Sequence, residues 1–329
     1  MEHQSDLRLG YTLSSEETRP DRLVELAVRA EEAGFDFCMV SDHFHPWTDR
    51  QGQSPFVWAV VGGVASRTSR IQLGTGVTCP VRVHPAIVAQ AAATAGSMME
   101  GRFFLGLGSG ENLNEHVVGV PWPPVSVRQE MLAEAVEVIR KLWTGRKTNH
   151  RGRHYTVDDA RIYTLPQRPV PIMLAAAGEN AAQLAGEKGD GLIAVTPRAE
   201  LVQAFVDSGG KGGPRFGQLH VCWAQGETEA KRTAYQWWPN AVMGGGLVSD
   251  LRLPADFEQI ALLVSEEDVA RAVPCGPDPE RYVQAIRQYT DAGFDNVYLH
   301  QVGPDQEGFF RFFERELLPR LQRVAAGTA

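Results

Sequence analysis

The chain is short of lysine, of paired cysteines and of long apolar runs, and each shortage closes off a class of function. Its 329 residues carry 32 lysines and arginines against 40 aspartates and glutamates, for a net charge of −8. Only five of the basic residues are lysines: Lys141, Lys147, Lys188, Lys211 and Lys231. An acidic balance without clustered positive charge argues against recognition of a phosphate backbone, so no nucleic-acid partner is expected. The four cysteines, Cys38, Cys79, Cys222 and Cys275, stand apart, without the spacing of a zinc site or a disulfide framework. A bilayer span needs about 18 consecutive apolar residues, and no such run occurs. The start, Met1–Asp6, has neither the basic nor the apolar segment of a secretory signal. A cytoplasmic protein with no membrane partner is therefore expected. A dinucleotide fingerprint is missing too, because the first strand-like run continues as Gly10-Tyr11-Thr12-Leu13-Ser14-Ser15.

What is present is a repeated joint. An amphipathic helix, Leu23 to Ala33, ends at Gly34-Phe35-Asp36 and passes directly into the apolar run Phe37-Cys38-Met39-Val40. The same words return as Tyr282 to Ala292, Gly293-Phe294-Asp295 and Asn296 to His300. A third copy runs from Ala181 to Lys188 through Gly189-Asp190 into Gly191 to Val195. Further strand-like runs at Leu7–Leu13, Ile71–Gly74, Phe103–Leu107, Ile172–Ala175 and Leu219–Trp223 bring the number to eight. Helical patterns at Val57–Ser66, Ala86–Met99, Arg128–Trp143 and Gly308–Val324 lie among them. Eight strands alternating with helices predict an α/β fold, a (β/α)8 TIM barrel, over a doubly wound sheet. One domain over 1–329 is expected, with insertions near 112–124, 145–169 and 226–274.

In such a barrel the chemistry sits where strands end. The second strand runs into Asp42-His43-Phe44-His45-Pro46-Trp47. His43 and His45 have the spacing of a metal pair, but the other strand ends offer Thr75, Glu111 and Thr196 and no further imidazole, so no metal is expected. The fourth strand ends in Gly106-Leu107-Gly108-Ser109-Gly110-Glu111, and the third in Gly74-Thr75-Gly76-Val77. Backbone this bare lets a flat ligand approach closely. After the fifth strand, Ala176-Ala177-Gly178 opens a helix whose free N–H groups would favour a phosphate. Small-residue floors on three strands, with a histidine and a glutamate, point to a large planar phosphorylated cofactor.

These residues, in this order, resemble the luciferase-like flavin oxidoreductases, and within them the branch using the deazaflavin coenzyme F420. The words that carry the likeness are Ser41-Asp42-His43-Phe44 with Pro46-Trp47, then Leu73-Gly74-Thr75-Gly76-Val77, then Gly108-Ser109-Gly110-Glu111 with Leu113-Asn114-Glu115. The resemblance spans essentially the whole chain. It implies a barrel of the luciferase type holding F420 against Asp42, Gly76, Val77, Gly108, Asn114, Ala176, Ala177 and Gly178. It also implies a non-prolyl cis peptide between Gly76 and Val77. The alternative cofactor in the wider family is FMN, used by its monooxygenases.

The activity implied is hydride transfer between the carbon of an alcohol or sugar hydroxyl and the deazaflavin C5. Hydride leaves a carbinol carbon more readily as its hydroxyl loses a proton, which needs a base; histidine suits that work. His43 is the expected base and Glu111 the expected acid, supplying a proton on the far side of the ring system. Trp47 would wall the substrate. At the mouth, Thr196, Arg198 and Arg271 are the expected substrate contacts. Enzymes of this branch acting on glucose 6-phosphate hold its phosphate with basic residues, and near Leu247 a lysine expected on that pattern is missing. Specificity for glucose 6-phosphate is therefore an alternative to a broader alcohol substrate. A carrier barrel without catalysis is the other alternative, and the His43/Glu111 pair speaks against it. Small-residue helices and the 226–274 excursion predict a homodimer.

Overall fold

The computed structural model describes residues 7–244 and 246–327; Met1–Asp6 and Gly245 of the glycine triplet lie outside the described residues. Ten strands are formed. They are β1 Arg8–Leu13, β2 Phe37–Val40, β3 Gln72–Thr75, β4 Phe103–Leu107, β5 Thr148–Arg151, β6 Thr156–Ala160, β7 Ile172–Ala175, β8 Gly191–Ala194, β9 Arg215–Val221 and β10 Asn296–Gln301. Eight close into a parallel barrel in the order β1-β10-β9-β8-β7-β4-β3-β2, with helices between them. This is the expected (β/α)8 barrel. β5 and β6 pair antiparallel as a hairpin within the 145–169 insertion.

The repeated joint has a physical reason that the linear pattern does not reveal. The helix Pro20–Ala33 stops where Gly34 takes a left-handed conformation, φ 91°, and donates its N–H to the Ala30 carbonyl. Asp36 then accepts the N–H of Leu9, at the head of the neighbouring β1, at 2.8 Å. Asp295 does the same for Arg215 of β9 at 2.8 Å, and Asp190 for Ile172 of β7 at 2.8 Å. Each aspartate satisfies a backbone donor at the base of the next strand over. The repeated words are therefore barrel hardware, placed at the end opposite the chemistry.

The barrel interior is filled by Phe37, Met39, Phe104, Met173, Ile193, Phe216 and Tyr298. A larger apolar layer lies between strands and helices. β9 starts four residues earlier than its apolar pattern suggests and ends at Val221, leaving Trp223 in a loop. Its first half alternates inward Phe216 and Gln218 with Gly217, and a reading based on apolar runs alone passes over such an alternation. The 226–274 excursion folds as helices Glu227–Trp237, Gly246–Asp250, Pro254–Ala261 and Glu266–Ala272. It builds a second apolar cluster in which Trp238 and Phe257 join Trp47, Leu113 and Val302 from strand-end loops, so the excursion covers part of the barrel mouth. Among the described residues no helix is long and apolar enough to cross a membrane.

Candidate active site

The floor of the site is bare backbone at the ends of β3 and β4. The Gly76–Val77 peptide is cis, as the resemblance implies. A Cβ on Gly108 would lie 2.5 Å from the Val77 side chain, and one on Gly106 would lie 1.9 Å from the Thr75 carbonyl oxygen. Only glycine lets these two strand ends come this close.

His43 stands over this floor. Its Nε2 is 3.2 Å from Glu16 Oε1 and 3.9 Å from Glu111 Oε2, and its ring packs at 5.0 Å on Trp47. The His45 carbonyl oxygen lies 3.1 Å from Nδ1, and the Asn114 side-chain nitrogen 3.2 Å from it. Asn114 is oriented by its Oδ1, which accepts the N–H groups of Phe44 (2.9 Å) and His45 (3.2 Å). One neighbour of Nδ1 thus calls for a proton and the other for a lone pair. Both neutral tautomers find a partner, and the imidazolium finds the His45 carbonyl on one side and Glu16 on the other. A ring held in this way can gain or lose a proton without turning.

Glu16 is the residue sequence reasoning missed. It lies beyond β1 in Ser14-Ser15-Glu16-Glu17, which reads as an ordinary acidic start to the helix that follows. The usable signal was its place at a strand end. It is buried, and it accepts from Ser41 Oγ at 2.6 Å and Ser14 Oγ at 3.1 Å. Burial alone would raise its carboxyl pKa, but His43 and the Ser41 hydroxyl outweigh burial and hold it below the usual carboxylate range. Glu111 is displaced the other way. Burial raises its pKa, Glu16 adds to the rise, and His43 and Arg128 pull back. The pKa values of two carboxyls beside one imidazole are thereby driven apart, Glu16 downward and Glu111 upward. His43 and Glu111 stand side by side, 3.9 Å apart.

Asp42 is held in a buried cluster. Arg82 bridges Asp42 Oδ1 at 2.9 Å and Glu115 Oε2 at 3.2 Å, and Thr78 donates to Asp42 Oδ2. Burial pushes Glu115 up to about 7, with Arg82 restraining the rise. His45 donates from Nδ1 to the Leu113 carbonyl at 2.9 Å. Among the described residues no group of three or more His, Cys, Asp or Glu gathers as metal ligands do.

Beyond β7, Gly178 precedes the helix Glu179–Lys188, and no side chain caps its first turn. A Cβ on Gly178 would meet nothing, so free N–H groups face open space. Arg198 Nη1 reaches the Ala177 carbonyl at 3.4 Å and Nε pairs with Glu200 at 3.0 Å. Arg198 is therefore brought to the expected phosphate end, and Thr196 lies exposed nearby in sequence. Arg271, expected at the mouth, lies exposed on the helix Glu266–Ala272 of the excursion, paired with Asp268.

Comparison with known proteins agrees with this geometry. The family described as luciferase-like monooxygenase matches residues 6–296. The F420-dependent glucose-6-phosphate dehydrogenase of Segniliparus rotundus is 38% identical over 97% of this chain and 99% of its own. That of Nakamurella multipartita is 36% identical over 97% of each. Among solved structures, an F420-dependent secondary alcohol dehydrogenase in complex with an F420-acetone adduct superposes with a TM-score of 0.88 at 30% identity, covering 96% of this chain and 99% of that one.

Proposed function

The chain belongs to the luciferase-like monooxygenase family, and from that premise we propose that it is a coenzyme F420-dependent oxidoreductase of alcohol or sugar hydroxyls. The observation that carries the reading is the placement of His43 at the end of β2, between Glu16 with its pKa lowered and Glu111 with its pKa raised, beside the strand that leads into the cis Gly76–Val77 peptide.

The residues present suit F420. The strand ends present bare backbone that a planar ring could approach, and the uncapped helix start at Gly178 with Arg198 beside it suits a phosphate. Val77, Gly76, Gly108 and Asn114 would hold the ring end, with Asp42 fixing the loop beneath them. Ala176, Ala177 and Gly178 would hold the phosphate end. When bound, F420 supplies the two-electron hydride acceptor. His43 takes the proton of the substrate hydroxyl, and Glu16 stabilises the imidazolium so formed. Glu111, whose pKa burial raises, would supply the proton that the reduced cofactor takes up. Trp47, buried beside His43 and against Phe257 at 5.1 Å, excludes water and walls the substrate.

Glucose 6-phosphate is a second reading, favoured by the names of the curated relatives. Arg271 would have to leave Asp268 to serve it. The test is titration of the purified protein with F420 and with FMN, followed by hydroxylated substrates scored for loss of the oxidised F420 band. Saturable F420 binding and turnover support the reading; FMN binding without F420 binding overturns it.

A homodimer is the assembly proposed. The helices Val57–Arg67 and Pro85–Met98 border an outer groove of about 280 Å³ lined by Trp58, Gly62, Ile87, Ala91 and Met98. Ile87 and Met98 are 55% and 49% exposed, and Pro85–Met98 carries no charged residue. A second copy of this chain would cover that face. Sedimentation at micromolar concentration should give a dimer mass, and Ile87→Glu a monomer. A monomeric wild type overturns the assignment.

A further inference from the structure

Across β1 from His43 lies a second polar chain that the reaction described above does not use. On β9 the inward face carries Phe216, Gln218 and His220, and on β10 it carries Tyr298 and His300; Phe216 and Tyr298 belong to the interior cluster. His220 and His300 are register partners, so both rings stand inside the barrel at its chemical end. His220 Nδ1 lies 2.8 Å from His300 Nδ1, and His300 Nε2 lies 2.9 Å from Glu17 Oε2. Glu17 immediately follows Glu16, so consecutive residues hold the two systems. Trp238 of the excursion packs on both rings, at 5.2 Å and 4.4 Å. Glu17 and His300 are sealed, at 4% and 1% side-chain exposure, whereas His220 keeps part of its surface open. Among the described residues nothing hydrogen-bonds its Nε2. On β1, the strand next to β10, Thr12 Oγ1 is buried without a partner.

The proton positions follow in sequence. The Glu17 carboxylate can only accept, so His300 carries its proton on Nε2. With His300 neutral its Nδ1 is a lone pair, and a 2.8 Å contact between two nitrogens needs one proton, which His220 then supplies from Nδ1. That leaves His220 Nε2 as a lone pair facing the mouth. Burial also disfavours a charged His220. Such a group accepts a hydroxyl proton and repels a phosphate.

We propose that His220 is a specificity-determining residue whose Nε2 accepts a second hydroxyl of the substrate, selecting vicinal diols and polyols over simple secondary alcohols. This rests on the F420 alcohol-oxidoreductase reading. The reacting hydroxyl lies at His43, its neighbour at His220 with Thr12 at hand, and Trp238 closes over the pair.

The test has two arms. Histidine-selective 15N NMR of the full chain without cofactor, with His220→Asn to assign the signal, should show His220 protonated on Nδ1 and not on Nε2. A protonated Nε2 at neutral pH overturns the proposal. In the second arm, kcat/KM with F420 is compared for propane-1,2-diol against propan-2-ol, and for glucose 6-phosphate against its 2-deoxy analogue. His220→Asn keeps an amide at the Nδ1 position and nothing at Nε2, and should cut the preference for the hydroxylated member about tenfold. His220→Gln restores an acceptor near Nε2 and should recover most of it. Equal losses on both members of each pair, or loss of F420 affinity in His220→Asn, mean a structural role and overturn the proposal. No turnover of any probe, with F420 bound, overturns the alcohol reading and this one with it. Absence of F420 binding overturns the cofactor reading alone, since the NMR arm does not depend on it.

Discussion

Replacing Glu16 by glutamine isolates one charge in the site. The glutamine keeps the length of the side chain and an oxygen that the Ser41 and Ser14 hydroxyls can reach, so the backbone has little reason to move. What disappears is a carboxylate 3.2 Å from His43 Nε2. At an effective dielectric of about 20, a unit pair at roughly that separation is worth about 5 kcal/mol, an upper bound because the neutral ring is not free of interaction either. Taking about 2–4 kcal/mol as the share lost when the imidazolium forms, kcat should fall by roughly 30- to 1000-fold. The pH profile gives a second signature. Glu16 is one cause of the raised pKa of Glu111, which works protonated, so activity is lost as pH rises through that pKa. Without Glu16 the basic limb should move to lower pH. The assay is steady-state turnover from pH 5 to 9 at saturating F420, with F420 affinity and the melting temperature measured in parallel. A kcat within threefold of wild type and an unmoved basic limb would refute the reasoning.

His43→Ala should lower kcat by roughly 10²- to 10⁴-fold with F420 affinity nearly unchanged, and Glu111→Gln should slow turnover without abolishing F420 binding; weaker binding with normal turnover per bound cofactor would mean that both only hold loops. Glu115 is buried with its pKa raised to about 7, so the stability of its protonated form is fully present below its unfolded pKa and is lost as pH rises through about 7. Glu115→Gln should flatten the fall in melting temperature between pH 5 and 8, and a fall as steep as wild type would exclude Glu115 as its cause. Gly108→Ala would drive a methyl into Val77, 2.5 Å away, so F420 affinity should drop at least tenfold while the far-UV circular dichroism stays that of the barrel.

Much of this protein was legible along the chain because its information is local. A helix that must stop and turn into a strand needs a glycine at the joint, and Gly34 and Gly293 mark it twice with the same neighbours. The same holds for the bare floor, since only glycine permits the approach of Gly108 to Val77, and for His43, Trp47 and Glu111, which sit where strands end. Tertiary structure alone decided the rest. Asp36, Asp190 and Asp295 look like turn residues until the barrel closes and hands each a donor from another strand. That Arg271 pairs with Asp268, three residues before it, is likewise seen only in the folded chain. Glu16 and Glu17 read as one acidic helix start, and only closure of the barrel sends them to different histidines, His43 in the loop after β2 and His300 on β10. Proton positions in a site depend on which lone pairs face one another, and that is settled by contacts between residues as much as 283 positions apart in sequence.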